Sequence, residues 1–267
     1  MAAISSSLTG QEDRIDFLKI FFLSIFVAMK VGVAQTRPVT ADIARNIQQH
    51  KTLIARAVSS GIDIFIFPEL SLTGYEPTLA QTLAIDPEDK RLDVFQQISD
   101  THRLIIGAGI PTRHGDAICI SMALFQPGKP RQLYSKKYLH ADEEPFFVSG
   151  QHGPNRVGKE IALAICYEIS IPQHAEEAFS DGASIYIASV AKFMHGIDKA
   201  LARLAEIGSS YSMTVLMSNS VGQADGYECA GKSSIWNNKG GLLGQLDGYR
   251  EGVLIFDTDT EEVIEIY

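Results

Sequence analysis

The sequence predicts an α/β (α+β) chain, a mixed sheet system with helices on its outside. Three observations lead there. Short apolar runs rich in Ile, Val and Phe alternate with segments of 3.6-residue periodicity through the first half. Hairpin signals, strand-like runs joined by Gly- and Pro-rich turns, take over in the middle and at the C-terminal end. The 267 residues, 45% hydrophobic and 21% charged, supply one sizeable core, so a single domain with a short extension is expected.

Taken in order, KVGVAQ (30–35) reads as a buried strand. Residues 41–60 read as a helix, with Ile43, Ile47, Ile54, Ala57 and Val58 on one face and Gly61 as its stop. IDIFIF (62–67) is a second buried strand, closed by Pro68, which has no N–H for a sheet ladder. Asp86-Pro87 is expected to open a helix running to about His102, followed by the strand RLIIGAGI (103–110). AICISMALF (117–125) and QLYSK (132–136) form a strand pair around Pro127-Gly128-Lys129-Pro130. IALAIC (161–166) is a strand, 172–181 a short helix stopped by Gly182, SIYIAS (184–189) a strand, 198–212 a helix, and TVLMSN (214–219) a strand. Short strands with Gly-rich turns complete the chain.

The segment Phe17 to Ala28 (FLKIFFLSIFVA) is strongly apolar but too short to span a bilayer, which takes about 20 apolar residues. Its length suits a signal-peptide core, and Gly32-Val33-Ala34 is a small-x-small sequence. Against that, Glu12, Asp13 and Asp16 offset Arg14 and Lys19, and cleavage after Ala34 would cut into the first strand. Residues 1–28 are therefore read as an N-terminal extension of unknown role, a docked helix being an alternative, with the folded domain over 29–267.

A formal net charge of −9 argues against nucleic acid or an anionic membrane as the main partner. The three cysteines, Cys119, Cys166 and Cys229, are too few and too unevenly spaced for a disulfide scaffold, and no CxxC or Cys/His cluster has zinc spacing. A reducing, cytoplasmic setting is expected, with at least one reactive thiol and no metal.

Three chemically capable residues fall at strand ends, where α/β folds gather their sites. Glu69 follows IDIFIFP, Lys136 closes QLYSK, and Cys166 closes IALAIC. A thiol needs a base before it becomes a nucleophile, and Glu69 can serve. Attack on an amide carbon puts negative charge on oxygen, which a fixed ammonium such as Lys136 can hold. Each residue also has a plain reading: Cys166 as a buried structural thiol, Glu69 as a turn cap toward Ser71 and Thr73, Lys136 as a solvated charge beside Lys137.

FPELSLTGYEP (67–77), YSKKYLHADEEPFF (134–147) and AICYEISIP (164–172) resemble, in order, the three signature segments of the nitrilase superfamily, the carbon–nitrogen hydrolases. The resemblance covers the chain from about Lys30 to near its end. It implies a four-layer α-β-β-α sandwich pairing into an eight-layer homodimer, with the segments after Cys166 contributing to the pairing face. It implies Glu69 as general base, Lys136 rather than Lys137 as the ammonium, and Cys166 as nucleophile. The N–H of Tyr167 completes the oxyanion site. Glu143, four residues before Phe147 and seven before Gly150, matches a second glutamate, with Glu144 as the competing position.

The chain departs from the family pattern at Glu168, where many members have Asp. It departs again after SIYIAS, where Val190-Ala191-Lys192-Phe193 stands in place of a tryptophan-bearing segment. Phe193 or Met194 is the expected substitute pocket wall, core packing being the alternative for each. The function expected is hydrolysis of a non-peptide C–N bond in a small amide, with no cofactor. The alternatives are an N-carbamoyl amine or amino-acid hydrolase, a nitrilase, and, from another class, a catalytically silent binding protein on the same fold.

Overall fold

The computed structural model describes residues 28–150 and 155–267. The expectations for residues 1–27, the apolar segment among them, lie outside the described residues. At the start of the domain, Met29 donates its N–H to Thr258 Oγ1 at 2.9 Å and accepts from Thr258 N at 3.0 Å.

Two sheets carry the fold. The first has seven strands in the order β15-β14-β1-β2-β3-β4-β5. Its strands are β1 (Lys30–Gln35), β2 (Ile64–Ile66), β3 (Ile105–His114), β4 (Ala117–Phe125), β5 (Gln132–Ser135), β14 (Gly252–Asp257) and β15 (Val263–Ile266). The second has six strands in the order β13-β12-β9-β8-β7-β6. These are β6 (Arg156–Val157), β7 (Ile161–Ile165), β8 (Ile185–Ser189), β9 (Thr214–Ser218), β12 (Ser234–Trp236) and β13 (Leu242–Gln245). A separate hairpin pairs β10 (Val221–Ala224) with β11 (Tyr227–Ala230). Parallel strands sit inside each sheet, β1-β2-β3 in one and β7-β8-β9 in the other, flanked by antiparallel neighbours.

The period-2 alternation of the strands builds the layers. Val31, Val33, Ile64, Ile66, Ile118, Ile120 and Met122 face the second sheet and pack with its Leu163, Ile165, Ile187, Leu216 and Ile235 in one core. The alternate residues Ala34, Phe65, Phe67, Ile106, Ala108 and Phe125 face outward into a second core. That core is covered by α1 (Ile43–Val58) through Ile43, Ile47 and Ile54, and by Phe95 of α3 (Asp93–His102). A one-turn helix, α2 (Ala80–Leu83), lies between them in the chain. On the other side, α4 (Pro172–Ser180) and α5 (Ile197–Tyr211) cover the second sheet with Ala175, Ala178, Leu204 and Ile207. The result is the α-β-β-α sandwich. Polar ties fasten the sheets to each other: Ser189 Oγ donates to Phe67 O at 2.8 Å and Ser218 Oγ to Ala34 O at 2.6 Å.

Two local expectations shift. The helix expected from Asp86 opens at Asp93, after a 3₁₀ turn over Lys90–Leu92. Asp86 and Asp89 bond to the N–H groups of Glu88 and Arg91, and such local side-chain bonds hold the backbone in turns rather than a helix. Strand β7 ends at Ile165, one residue before Cys166, which leaves the sheet with φ of 42° and opens a 3₁₀ turn over Cys166–Ser170. Among the described residues, no helix is long and apolar enough to cross a membrane.

Candidate active site

The Glu69 loop is set by close backbone approach. Phe67 N donates to Gly107 O at 2.8 Å and Leu72 N to Gly109 O at 3.1 Å, so the turn carrying Glu69 lies flat on β3. A Cβ at Gly109 would stand 2.3 Å from Pro68 O and 2.4 Å from Leu70 N, so this position has no room for a side chain. Leu70 adopts φ of 50°, a left-handed conformation that costs a non-glycine residue roughly 1–2 kcal/mol. Helix α1 braces the loop from behind. Asn46 Nδ2 donates to Leu72 O, and His50, stacked on Phe67, meets Ser71 Oγ at 3.0 Å. The other nitrogen of His50 faces the Asn46 carbonyl, which can only accept, so Nδ1 carries the proton and Nε2 accepts from Ser71. Burial lowers the His50 pKa to about 3, which keeps the ring neutral.

Lys136 follows β5 and stays in register, donating its N–H to Ile120 O at 2.8 Å and accepting from Gly150 N at 2.7 Å. A Cβ at Gly150 would lie 2.3 Å from Ser135 Cβ, which explains a glycine there. The side chain of Lys136 is fully buried, whereas Lys137 is 53% exposed and reaches Glu177 on the surface. Lys136 Nζ lies 2.8 Å from Glu69 Oε1, and 2.6 and 2.8 Å from the two oxygens of Glu143. Glu143 also accepts from Tyr75 Oη at 2.9 Å and from His140 N at 2.8 Å. Glu144 is exposed. Both oxygens of Glu143 are thus occupied. In Glu69, by contrast, Oε1 takes Lys136 while the buried Oε2 has no hydrogen-bond partner among the described residues.

The left-handed elbow at Cys166 is held by Glu168. One oxygen of that carboxylate accepts from Ile165 N at 2.7 Å and from Tyr134 Oη at 2.5 Å. The other accepts from Lys137 N at 2.7 Å. A single buried side chain therefore clamps the residue before the thiol to the residue after the ammonium. Tyr134 spends its proton on Glu168, so it accepts from His174 Nε2 at 3.2 Å, and His174 Nδ1 accepts from Tyr186 Oη at 2.8 Å. Burial lowers the His174 pKa, consistent with this neutral tautomer.

Burial and the Glu69 carboxylate push the Cys166 thiol up to about 11, partly offset by Lys192 and Lys136. The cysteine therefore rests protonated. Burial raises the Glu69 pKa; Lys136 opposes that shift and Glu143 adds to it. Burial works against the charge of Lys136, yet the Glu69 and Glu143 carboxylates hold its pKa above the ordinary lysine value. Tyr75 is kept neutral by burial and by Glu69 and Glu143, so it acts as a donor. A thiol, an acceptor with a free oxygen and a fixed ammonium in a dry site can run nucleophilic acyl transfer.

Cys166, Glu143 and Tyr167 border a cavity of about 510 Å³, within the range that holds a small organic ligand. Phe193 lines it, its ring 6.0 Å from Tyr75 and 5.3 Å from Tyr227. Met194 is not in the lining and is 57% exposed, a correction to its expected role. Phe193 is held by an isolated bridge to Cys229, and Met194 begins the turn that follows it. Tyr75, Glu168 and Lys192 were not expected at the site. Tyr75 and Glu168 lie within the motif segments that mark Glu69 and Cys166, and Lys192 falls where the pattern departs from the resembled family.

The chain is similar to several known proteins. A glutamine-dependent NAD(+) synthetase of Acinetobacter baylyi is 26% identical over 253 residues, covering 88% of this chain; the chain spans 45% of that relative's length. A hydrolase of the agr operon of Staphylococcus aureus is 24% identical, covering 88% of this chain and 93% of the relative. A nitrilase of Pyrococcus abyssi is 24% identical, covering 86% and 90%. Among solved structures, the amidase from Nesterenkonia sp. AN1, as a mutant in complex with butyramide, superposes with a TM-score of 0.78 at 21% identity, covering 87% of this chain and 92% of the amidase. The carbon-nitrogen hydrolase family profile matches residues 30–267, and the chain belongs to that family.

Proposed function

We propose that the protein is an amidase that hydrolyses a small amide through a thioester on Cys166. The observation that carries this reading is the unpartnered Oε2 of Glu69 beside a protonated Cys166, with Lys136 fixed on the other oxygen of the same carboxylate. Support for a nucleophilic cysteine comes from a mutant of the Nesterenkonia amidase, for which covalent addition of the acetamide moiety of fluoroacetamide at the active-site cysteine is described.

In this mechanism Cys166 Sγ attacks the amide carbon as its proton passes to Glu69 Oε2. Negative charge on the carbonyl oxygen is met by Lys136 Nζ and the N–H of Tyr167. That N–H sits in the first turn of the Cys166–Ser170 3₁₀ segment, where N–H groups lack intrahelical acceptors. Collapse expels ammonia, which leaves with the proton held by Glu69. Water then attacks the thioester carbon and gives a proton to Glu69. Collapse of that second intermediate returns the proton to Sγ and frees the acid. Glu143 and Tyr75 position Lys136 rather than move protons, since both oxygens of Glu143 are already bonded. No step draws on a metal or an organic cofactor.

The three cysteines are free and buried, which suits a reducing cytoplasm. We place self-association at the face of α4 and α5, where Phe179 is 50% exposed and its ring lies 5.8 Å from Tyr211. Ammonia release across small amides, ureido acids and nitriles tests the reading. Release from amides that disappears in Cys166→Ala is expected. Release from nitriles or ureido acids alone would move the protein to those branches, and none from any class would overturn catalysis.

A further inference from the structure

Lys192 is a charge in this cavity that the mechanism leaves unused. It follows β8, which runs parallel to β7 with Ile165 opposite Ser189, so the chains bearing Cys166 and Val190 leave the sheet side by side. The Lys192 backbone is clamped. Its N–H donates to Asn219 Oδ1 at 2.8 Å, and its carbonyl accepts from Asn219 Nδ2 at 3.2 Å and from Ala230 N at 2.8 Å. Asn219 is itself fully buried and bonded to Gly231 O. The half-buried Lys192 makes no side-chain hydrogen bond or ion pair with any described residue, although its charge is felt at Cys166.

The neighbouring charges are otherwise engaged. Glu143 is spent on Lys136, Arg203 on Glu206 and the Ile169 carbonyl, and Asp142 stands beside His140. Asp225 feels burial, Glu76 and Asp142, and forms no ion pair with Lys192. Lys199 is exposed at the rim. A partly desolvated ammonium without a partner is costly, and a ligand that brings its own anion offsets that cost. Beside it, Tyr75, Phe193 and Tyr227 form an aromatic wall suited to a short methylene chain.

We propose that the substrate is an acidic amide, the half-amide of a short dicarboxylic acid, whose distal carboxylate is received by Lys192 while its amide carbon lies at Cys166. This rests on the amidase reading above. The test compares kcat/KM for succinamate and glutaramate with their uncharged counterparts butyramide and pentanamide, in the wild type, Lys192→Gln and Lys192→Glu. A preference of at least tenfold for the acidic amides is expected in the wild type. It should fall at least tenfold in Lys192→Gln, mainly through KM of the acidic substrate, and Lys192→Glu should favour the cationic 4-aminobutyramide over succinamate. Neutral amides turned over as well as acidic ones by the wild type would overturn this subsite and leave the amidase reading standing. Equal losses on acidic and neutral amides in Lys192→Gln would assign Lys192 to the thiol alone and also overturn it. No turnover of any amide would overturn both readings.

Discussion

Glu69 bonds Lys136 at 2.8 Å through one carboxylate oxygen and keeps the other buried, without a hydrogen-bond partner among the described residues. That asymmetry gives a single side chain two tasks, anchoring an ammonium and accepting a proton.

Labelling tests the resting state of the thiol. Iodoacetamide should modify Cys166 ahead of Cys119 and Cys229, because Cys166 lines the cavity and burial pushes Cys229 up to about 12. The reaction requires Glu69 as carboxylate, and its pKa is raised by burial. The labelling rate should therefore fall as pH drops through a value above the ordinary carboxylate range. Glu69→Gln should remove that acid limb and slow turnover by about 10³-fold or more. An unchanged profile in Glu69→Gln would exclude it as the base.

The two adjacent lysines should separate cleanly. Lys136→Met should lower kcat by about 10²–10³-fold, the usual cost of losing a donor to a developing oxyanion. Lys137→Met should stay within about twofold, since an exposed ion pair contributes little. Lys136→Met also strands two buried carboxylates, at about 3–5 kcal/mol near neutral pH. In that variant burial raises the Glu69 pKa with no Lys136 to oppose it, so its folded-state value lies above its unfolded one. Stability should then be recovered as pH falls below the unfolded value and lost as pH rises through the folded one. Thermal melts at several pH values read this directly, and a melt indifferent to pH would contradict the buried triad.

Glu143→Gln should reduce kcat by about tenfold or more while the protein remains folded, because it removes the charge that fixes Lys136 and keeps the acceptor for Tyr75. Glu144→Gln, altering an exposed residue, should do neither. Full activity in Glu143→Gln would reduce the site to Glu69, Lys136 and Cys166.

Replacing Glu168 by Gln sets an amide NH₂ against a backbone N–H, at Ile165 or at Lys137. A loss of about 2–3 kcal/mol is expected, or roughly 4–12 °C in Tm for a domain of this size. The fall in kcat should exceed any change in KM, since the variant loosens the link between nucleophile and ammonium. A normal kcat with a lowered Tm would make Glu168 purely structural.

The amino-acid sequence by itself determined the main elements and the reacting groups, and the four-layer arrangement came with the family resemblance. Apolar runs and the 3.6-residue period are local quantities, so the strands at 30–35 and 62–67, and Ile43 and Ile47 on one side of α1, are legible without partners. Glu69, Lys136 and Cys166 were legible because each stands at or just past a strand end within a distinct motif, and the family resemblance singled out Lys136 over Lys137. Tertiary structure alone decided what those groups feel. Glu168 joins Lys137 to Ile165, Ser189 joins the second sheet to Phe67, and Lys192 places its charge within reach of Cys166; each relation spans elements distant in the chain. Asp86 and Cys166 show the same limit at short range, where side-chain bonding and a strained φ override the pattern. Burial and partner geometry set the cost of a charge or an unmet hydrogen bond, and neither is a property of a residue's neighbours in sequence.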